Sequence, residues 1–272
     1  MSSHRTAVLP DGRQASVQEF GHAGKVVLLL PGAGADRMAL GLQGRALQAA
    51  GLRALSLDYP GLGQATGSLP QDVQELARYA FATLDALGVA RCHILGQSLG
   101  SAVAQEMAML EPKRAASLIL LATWGRQDAF LEMRSRIVAL LVGRPLEERL
   151  ALLPFFMASR TLIGSLGTAE GSLGLRGSRA VSDETMSRYL SLARDADRLP
   201  RLGRLGMPCL VLAGERDLMT PWEYGKEVAD AIPGARFHLL QGPQSSHLFH
   251  YELGEETNRE ILDFLQTVAH DR

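Results

Sequence analysis

Six short apolar runs, separated mostly by segments of helical length, constrain this chain more than any other feature. They are KVVLLLP (25–31), LRALSLDYP (52–60), CHILGQ (92–97), ASLILLAT (116–123), CLVLAGE (209–215) and ARFHLLQ (235–241). Short, nearly continuous apolar runs are what strands buried on both faces look like, and alternation with helices is the pattern of a parallel sheet covered on both sides. The intervening segment DVQELARYAFATLDALG shows the partner signal. Its Val73, Leu76, Ala77, Ala80, Phe81, Leu84 and Leu87 recur at i, i+3, i+4, i+7, the spacing of one buried helix face. Before the first run, TAVLP and RQASVQEF flank Pro10-Asp11-Gly12, which predicts an antiparallel edge hairpin.

The alternation breaks once. Between Thr123 and Met207 about eighty residues pass without a strand, too many for a bare loop, so a helical insertion is expected over 124–206 between two parts of one core, 1–123 and 207–272. Within it, Gly164, Gly167, Gly171, Gly174 and Gly177 mark either a loose surface loop or a mobile gate. The expected fold is therefore α/β, a mostly parallel central sheet with helices on both faces and a helical cap.

Composition narrows the function classes. With 272 residues, 46% hydrophobic, the chain can bury a large core, and no apolar run reaches the length that spans a membrane. A net charge of −1 argues against nucleic acid as a partner. The opening MSSHRTAVLPDGRQ has no basic start followed by an apolar stretch, so a cytoplasmic protein is expected. Cys92 and Cys209 both sit in apolar strand runs and read as reduced core thiols. The excess of Arg over Lys, 25 to 3, fits anion binding but is read as the codon bias of a GC-rich genome.

The chemistry lies in HILGQSLGSAVAQEMAML. An apolar strand runs into Gly96-Gln97-Ser98-Leu99-Gly100 and then a helix, which is a nucleophile elbow: a sharp strand-to-helix turn that strains the serine backbone and needs small flanking residues. The turn sets Ser98 at a helix N-terminus, where backbone N–H groups favour developing negative charge.

With that motif in that context, the sequence resembles the α/β-hydrolase superfamily, serine-nucleophile branch, from about Thr6 to the last helix. Within the superfamily, LATWGRQDAF and AGERDLMTPWEY look most like small bacterial carboxylesterases, enol-lactonases and polyketide-pathway methylesterases. The family order of Ser, acid, His implies Asp217 as the acid, in AGERDLMTP, with Glu215 and Asp128 as weaker candidates. It implies His247 as the base, in SSHLFHYE, which resembles the family's Gly-His-x-x-x-x-Glu run with Glu252 in the matching place and Ser246 where the glycine usually stands. His250 and His238 are the alternatives, and His-x-x-His without a third ligand does not suggest a metal. The oxyanion donors implied are Leu99 N–H and Ala33 N–H, the latter in LLLPGAGADR, where Pro31 replaces the common histidine. Gly32-x-Gly34 does not open a dinucleotide site, because Arg37 stands where a third glycine is needed. Gly32, Gln97 and Trp124 are the candidate substrate contacts, although Trp124 also fits a packing role.

The implied activity is a serine hydrolase that cleaves an ester, lactone or thioester through an acyl-enzyme on Ser98, with a small-molecule substrate and neither metal nor organic cofactor. The expected substrate is small to medium and apolar, and the 13 arginines against 9 acidic residues in the cap favour an acidic group on it. Carbon–carbon bond hydrolysis, lyase or acyltransferase chemistry on the same triad is the alternative, and a low-turnover ligand-binding receptor is a third class. The oligomeric state stays open.

Overall fold

The computed structural model describes residues 2–166, 181–192, 194 and 197–270. Eight strands form one sheet in the order β1-β2-β4-β3-β5-β6-β7-β8. They are β1 (Ser2–Val8), β2 (Gln14–Phe20), β3 (Val26–Leu30), β4 (Arg53–Leu57), β5 (Cys92–Gln97), β6 (Ala115–Leu121), β7 (Cys209–Gly214) and β8 (Arg236–Leu240). The first two pair antiparallel as the expected edge hairpin, β2 runs antiparallel to β4, and every later pairing is parallel. The hairpin is longer than the sequence suggested. Ser2 already pairs with Phe20.

Helices α1 (Gly41–Ala49), α2 (Val73–Ala86) and α3 (Leu99–Leu110) follow strands of the first half, and α9 (Trp222–Ala231), α10 (Phe249–Glu252) and α11 (Gly254–His270) follow those of the second. Between β6 and β7 the described residues contain helices and no strand: α4 (Ala129–Leu140), α5 (Leu146–Met157), α6 (Arg160–Leu166), α7 (Asp183–Leu192) and α8 (Leu199–Leu202). Gly164 lies in α6. Gly167, Gly171, Gly174 and Gly177, and with them the expected gate, lie outside the described residues.

Both faces of the sheet are covered, which explains the unbroken apolar runs. Along β3, Leu28 and Leu30 join the large core beneath α2 and α3, whereas Val27 and Leu29 join the second core with Leu47 of α1 and Ile261, Phe264 and Leu265 of α11. Each such side chain, removed from water, contributes about 1.5–3 kcal/mol before entropy is counted. The α2 stripe packs as its periodicity required, from Val73 to Leu84, with Leu87 half-buried. Asp72 caps this helix by accepting from Glu75 N–H. Cys92 and Cys209 are buried free thiols, and burial pushes the Cys92 thiol up to about 12. Among the described residues no helix is long and apolar enough to cross a membrane.

Candidate active site

Ser98, Asp217, His247 and the loop with Ala33 collect at the C-terminal ends of β3, β5, β7 and β8, the edge of a parallel sheet where loops converge on helix N-termini. Ser98 sits between β5 and α3 with φ 52° and ψ −122°. Only one other non-glycine described residue has a positive φ, Ala122 at 49°, just past the end of the neighbouring strand β6. The two strained turns are joined, since Ser98 N–H donates to Leu121 O at 2.9 Å. Such strain persists only where the surroundings enforce it. Here Gly96 and Gly100 do so: a Cβ on Gly96 would meet the Gly100 carbonyl oxygen, and one on Gly100 would meet the Leu30 carbonyl oxygen.

A buried polar network supports the elbow from below. Ser101 Oγ donates to Ser98 O at 2.6 Å and lies 2.8 Å from Thr123 Oγ1, which accepts from Gln105 Nε2 at 2.8 Å. Gln105 Nε2 also donates to Trp124 O, and its Oε1 accepts from Arg198 Nε at 3.1 Å. The sequence held no signal for this chain of contacts, because its members are scattered and individually ordinary.

Gly32 lies against the elbow, where an added Cβ would come 3.4 Å from Ser98 Cβ and 2.6 Å from Gln97 Oε1. The structure therefore brings the β3–α1 loop, with Ala33, next to Ser98. Among the described residues the Ala33 N–H makes no hydrogen bond. Leu99 is the first residue of α3, so its N–H has no partner within the helix. The far end of the loop is fastened by Asp58, fully buried, whose carboxylate accepts from Arg37 N–H at 2.7 Å, Arg37 Nη1 at 2.6 Å, Ser16 Oγ at 2.6 Å and Gln64 N–H at 3.1 Å. From above, the Met186 thioether of α7 rests on Gly34. Tyr189, also of α7, stacks on Tyr59 and donates its hydroxyl to Pro60 O at 2.7 Å.

Asp217 and His247 form a buried pair. His247 Nδ1 and Asp217 Oδ2 are 2.8 Å apart, and both residues are about 3% exposed. Asp217 Oδ1 accepts from Met219 N–H and Thr220 N–H, each at 2.8 Å, so one oxygen holds the turn and the other holds the imidazole. The other acid candidates are engaged elsewhere. Asp128 caps α4 and accepts from the Tyr224 hydroxyl, while Glu215 is exposed and accepts from Gly242 N–H. No hydrogen bond joins Ser98 Oγ to His247 among the described residues. Such contacts are commonly long until substrate arrives.

His238 lies on β8, where its Nδ1 is 3.7 Å from Glu260 on the α11 side of the sheet. His250 is buried in α10 with no hydrogen-bond partner for Nδ1 among the described residues, and burial together with the neighbouring His247 pushes it down to about 3. Trp124 is 1% exposed, with the guanidinium of Arg134 5.5 Å from its ring centre. Arg134, on α4, donates from Nη1 to Met219 O at 2.9 Å, in the same turn that carries Asp217. Burial lowers the pKa of Arg134, opposed chiefly by the Asp217 charge. Arg126, Arg136, Arg144, Arg149, Arg194 and Arg201 each pair with a carboxylate, whereas Arg134 pairs with none among the described residues.

A model of the alpha/beta hydrolase family matches residues 27–260, and the chain belongs to that family. It is 28% identical over 249 residues to a candidate non-heme bromoperoxidase of Mycobacterium tuberculosis, covering 89% of this chain and 94% of the relative. It is 30% identical over 227 residues to a 2-hydroxy-6-oxononadienedioate/2-hydroxy-6-oxononatrienedioate hydrolase of Dechloromonas aromatica, covering 80% and 78%. A crystal structure of a hydrolase from Pseudomonas aeruginosa superposes with a TM-score of 0.85 at 26% identity, over 97% of this chain and 98% of that one. Hydrolytic chemistry agrees with all of these features.

Proposed function

We propose that the protein is a serine hydrolase that transfers an acyl group to water from an ester-like substrate, with Ser98 as nucleophile. The observation that carries this reading is the strained Ser98 at φ 52° on top of β5, held at a helix N-terminus on the same sheet edge as the buried Asp217–His247 pair. In this mechanism Nε2 of His247 takes the Ser98 proton as the hydroxyl oxygen attacks the carbonyl carbon. Asp217 holds the proton on Nδ1, which leaves Nε2 free as the base, and then stabilises the imidazolium. The Ala33 and Leu99 N–H groups receive the oxyanion in geometry fixed before substrate binds. His247 protonates the leaving group, and then activates water to release the acid and restore Ser98.

The helices between β6 and β7 act as the cap that selects substrate. We assign the acidic group of the substrate to Arg134. A half-buried guanidinium that makes no ion pair among the described residues is costly to keep, and an anionic substrate group would offset that cost. Carbon–carbon bond hydrolysis on the same residues is the second reading, favoured by the relative named for an oxo-dioate substrate.

The test is steady-state screening of purified protein against short and medium acyl p-nitrophenyl esters, lactones, acyl thioesters and a 2-hydroxy-6-oxo-dienoate, alongside fluorophosphonate labelling. Turnover with esters and a single label on Ser98 are expected, and Ser98→Ala should lower kcat by about 10^4 or more. Turnover of the dienoate alone transfers the assignment to the second reading. A burst without steady state marks a receptor, and a label elsewhere or none removes Ser98 as nucleophile.

A further inference from the structure

The loop that carries His247 is gripped from two sides, and only one grip is explained by the triad. On the β7 side, Arg216 N–H donates to Ser245 O at 3.0 Å, and Gly214 approaches the Ser245 carbonyl so closely that no Cβ fits. On the other side the partner is the corner between α5 and α6. Leu248 N–H donates across to Met157 O at 3.2 Å. Glu252 makes the stronger link: its Oε1 accepts from Ser159 N–H at 2.9 Å and from Ser246 Oγ at 2.6 Å, while its Oε2 accepts from Ser159 Oγ. Ser246 Oγ in turn accepts from Leu248 N–H at 3.0 Å, and Ser159 Oγ from Leu162 N–H at 3.1 Å, which caps α6.

One carboxylate thus collects three donors, two from the α5–α6 corner and one from the residue directly before His247. Ser159 and Ser246 are 6% and 4% exposed. Hydrogen bonds to a charged acceptor at such burial are stronger than neutral ones, and each loses more when its partner is removed. Ser246 is the position where the sequence departs from the family glycine, and a glycine there would supply no hydroxyl to the clamp. The two backbone neighbours of His247, Ser246 and Leu248, are therefore both tied to the helical segment between β6 and β7.

We infer that Glu252 is a positioning residue that couples the seating of the α5–α6 corner to the alignment of His247, through Ser159 on one side and Ser246 on the other. This rests on the reading of His247 as the base. When the corner is seated, the clamp sets the backbone on both sides of the imidazole. When it is released, the imidazole and its bond to Asp217 lose their fixed geometry, and with it the orientation of His247 toward Ser98. A misplacement of about 1 Å at a reacting group can cost a hundredfold in rate.

The experiment compares Ser159→Ala, Glu252→Gln and Ser246→Gly with Ser159→Thr, which retains the hydroxyl. On a short acyl p-nitrophenyl ester, the first three should lower kcat by about tenfold to a hundredfold with KM changed less than about threefold, while Ser159→Thr stays within about threefold of the parent. The downfield proton resonance of His247 Nδ1–H should shift or broaden in the same three variants. Circular dichroism melts normalise each rate to the folded fraction. If kcat per folded molecule stays within about twofold in Ser159→Ala and Glu252→Gln, or if the resonance is unchanged, the coupling is overturned. If the parent protein takes no fluorophosphonate label, the role of His247 as base falls instead. The resonance, which needs no reaction at Ser98, still decides whether the clamp orients the imidazole.

Discussion

Asp217 divides its carboxylate between His247 and the turn it sits in: Oδ2 stands 2.8 Å from His247 Nδ1, and Oδ1 receives the N–H groups of Met219 and Thr220. The division separates two effects that a single substitution usually mixes. Asp217→Asn keeps an acceptor for the turn but presents an N–H to the imidazole, which forces the wrong tautomer. It should lower kcat by about 10^4 with little change in melting temperature. Asp217→Ala should lose the turn as well and cost a further 1–3 kcal/mol or so in stability. Steady-state rates and melts of the two variants check this, and equal melting of both would show that Oδ1 does not hold the turn.

His250 is a pH-dependent burden on the fold and should not act in the reaction. Its folded pKa, pushed down to about 3, lies below the 6.5 of the free side chain. The unfolded chain therefore binds the extra proton first, and stability falls as pH drops below about 6.5 and continues to fall toward 3. Between pH 7 and 5 this residue alone should remove about 2 kcal/mol, by proton linkage. His250→Gln should shrink the loss by that amount in urea melts at the two pH values, and change kcat by less than about tenfold. A dead His250→Gln with an active His247→Ala would reverse the assignment of the two histidines.

These histidines show how far the sequence could be read. The six sheet strands, the edge hairpin and the elbow were legible because burial on both faces and a strained turn impose strong local patterns on residues such as Val26–Leu30 and Gly96–Gly100. The pairing of His247 with Asp217 was suggested by family order and by the SSHLFHYE run with Glu252 in the matching place, not by any pattern that burial or periodicity imposes. The supports were not legible at all. Ser159 and Glu252 are 93 residues apart, Arg198 and Gln105 also 93, and Tyr189 and Pro60 129, and each is a common residue type whose partner is set by tertiary packing.

Gly100 tests whether the close approach of β3 to the elbow is rigid. A Cβ there would strike the Leu30 and Pro31 carbonyl oxygens, backbone atoms that cannot step aside, whereas a Cβ on Gly206 would meet nothing within 4 Å. Gly100→Ala should destabilise the fold by roughly 1–3 kcal/mol or more, as overpacking does, and displace Ser98 so that kcat falls further than the folded fraction. Gly206→Ala should be near neutral in both measurements. A Gly100→Ala protein that melts and turns over like the parent would show that the β3–α1 loop yields freely, and with it the geometry proposed for Ala33.

Arg134 gives the most direct access to substrate chemistry. Its guanidinium is largely withdrawn from water, lies on Trp124, and has the Met219 carbonyl but no carboxylate as partner among the described residues. Arg134→Gln removes the charge and, with its shorter side chain, also the donor to Met219 O. The desolvation cost of the guanidinium is relieved while one hydrogen bond and the attraction of Asp217 are lost, so the variant should melt near the parent temperature. A hydrogen bond to a charged group is worth about 1.5–3 kcal/mol, so loss of the charge should lower kcat/KM by about tenfold or more for an ester whose acyl chain ends in a carboxylate. The methyl-capped version of the same ester should change by less than about twofold, because it presents no anion. Measured side by side, the ratio of the two kcat/KM values isolates the charge from any general disturbance of α4. If both esters lose activity equally, Arg134 braces the Asp217 turn through Met219, and the acidic group of the substrate must be sought against another residue.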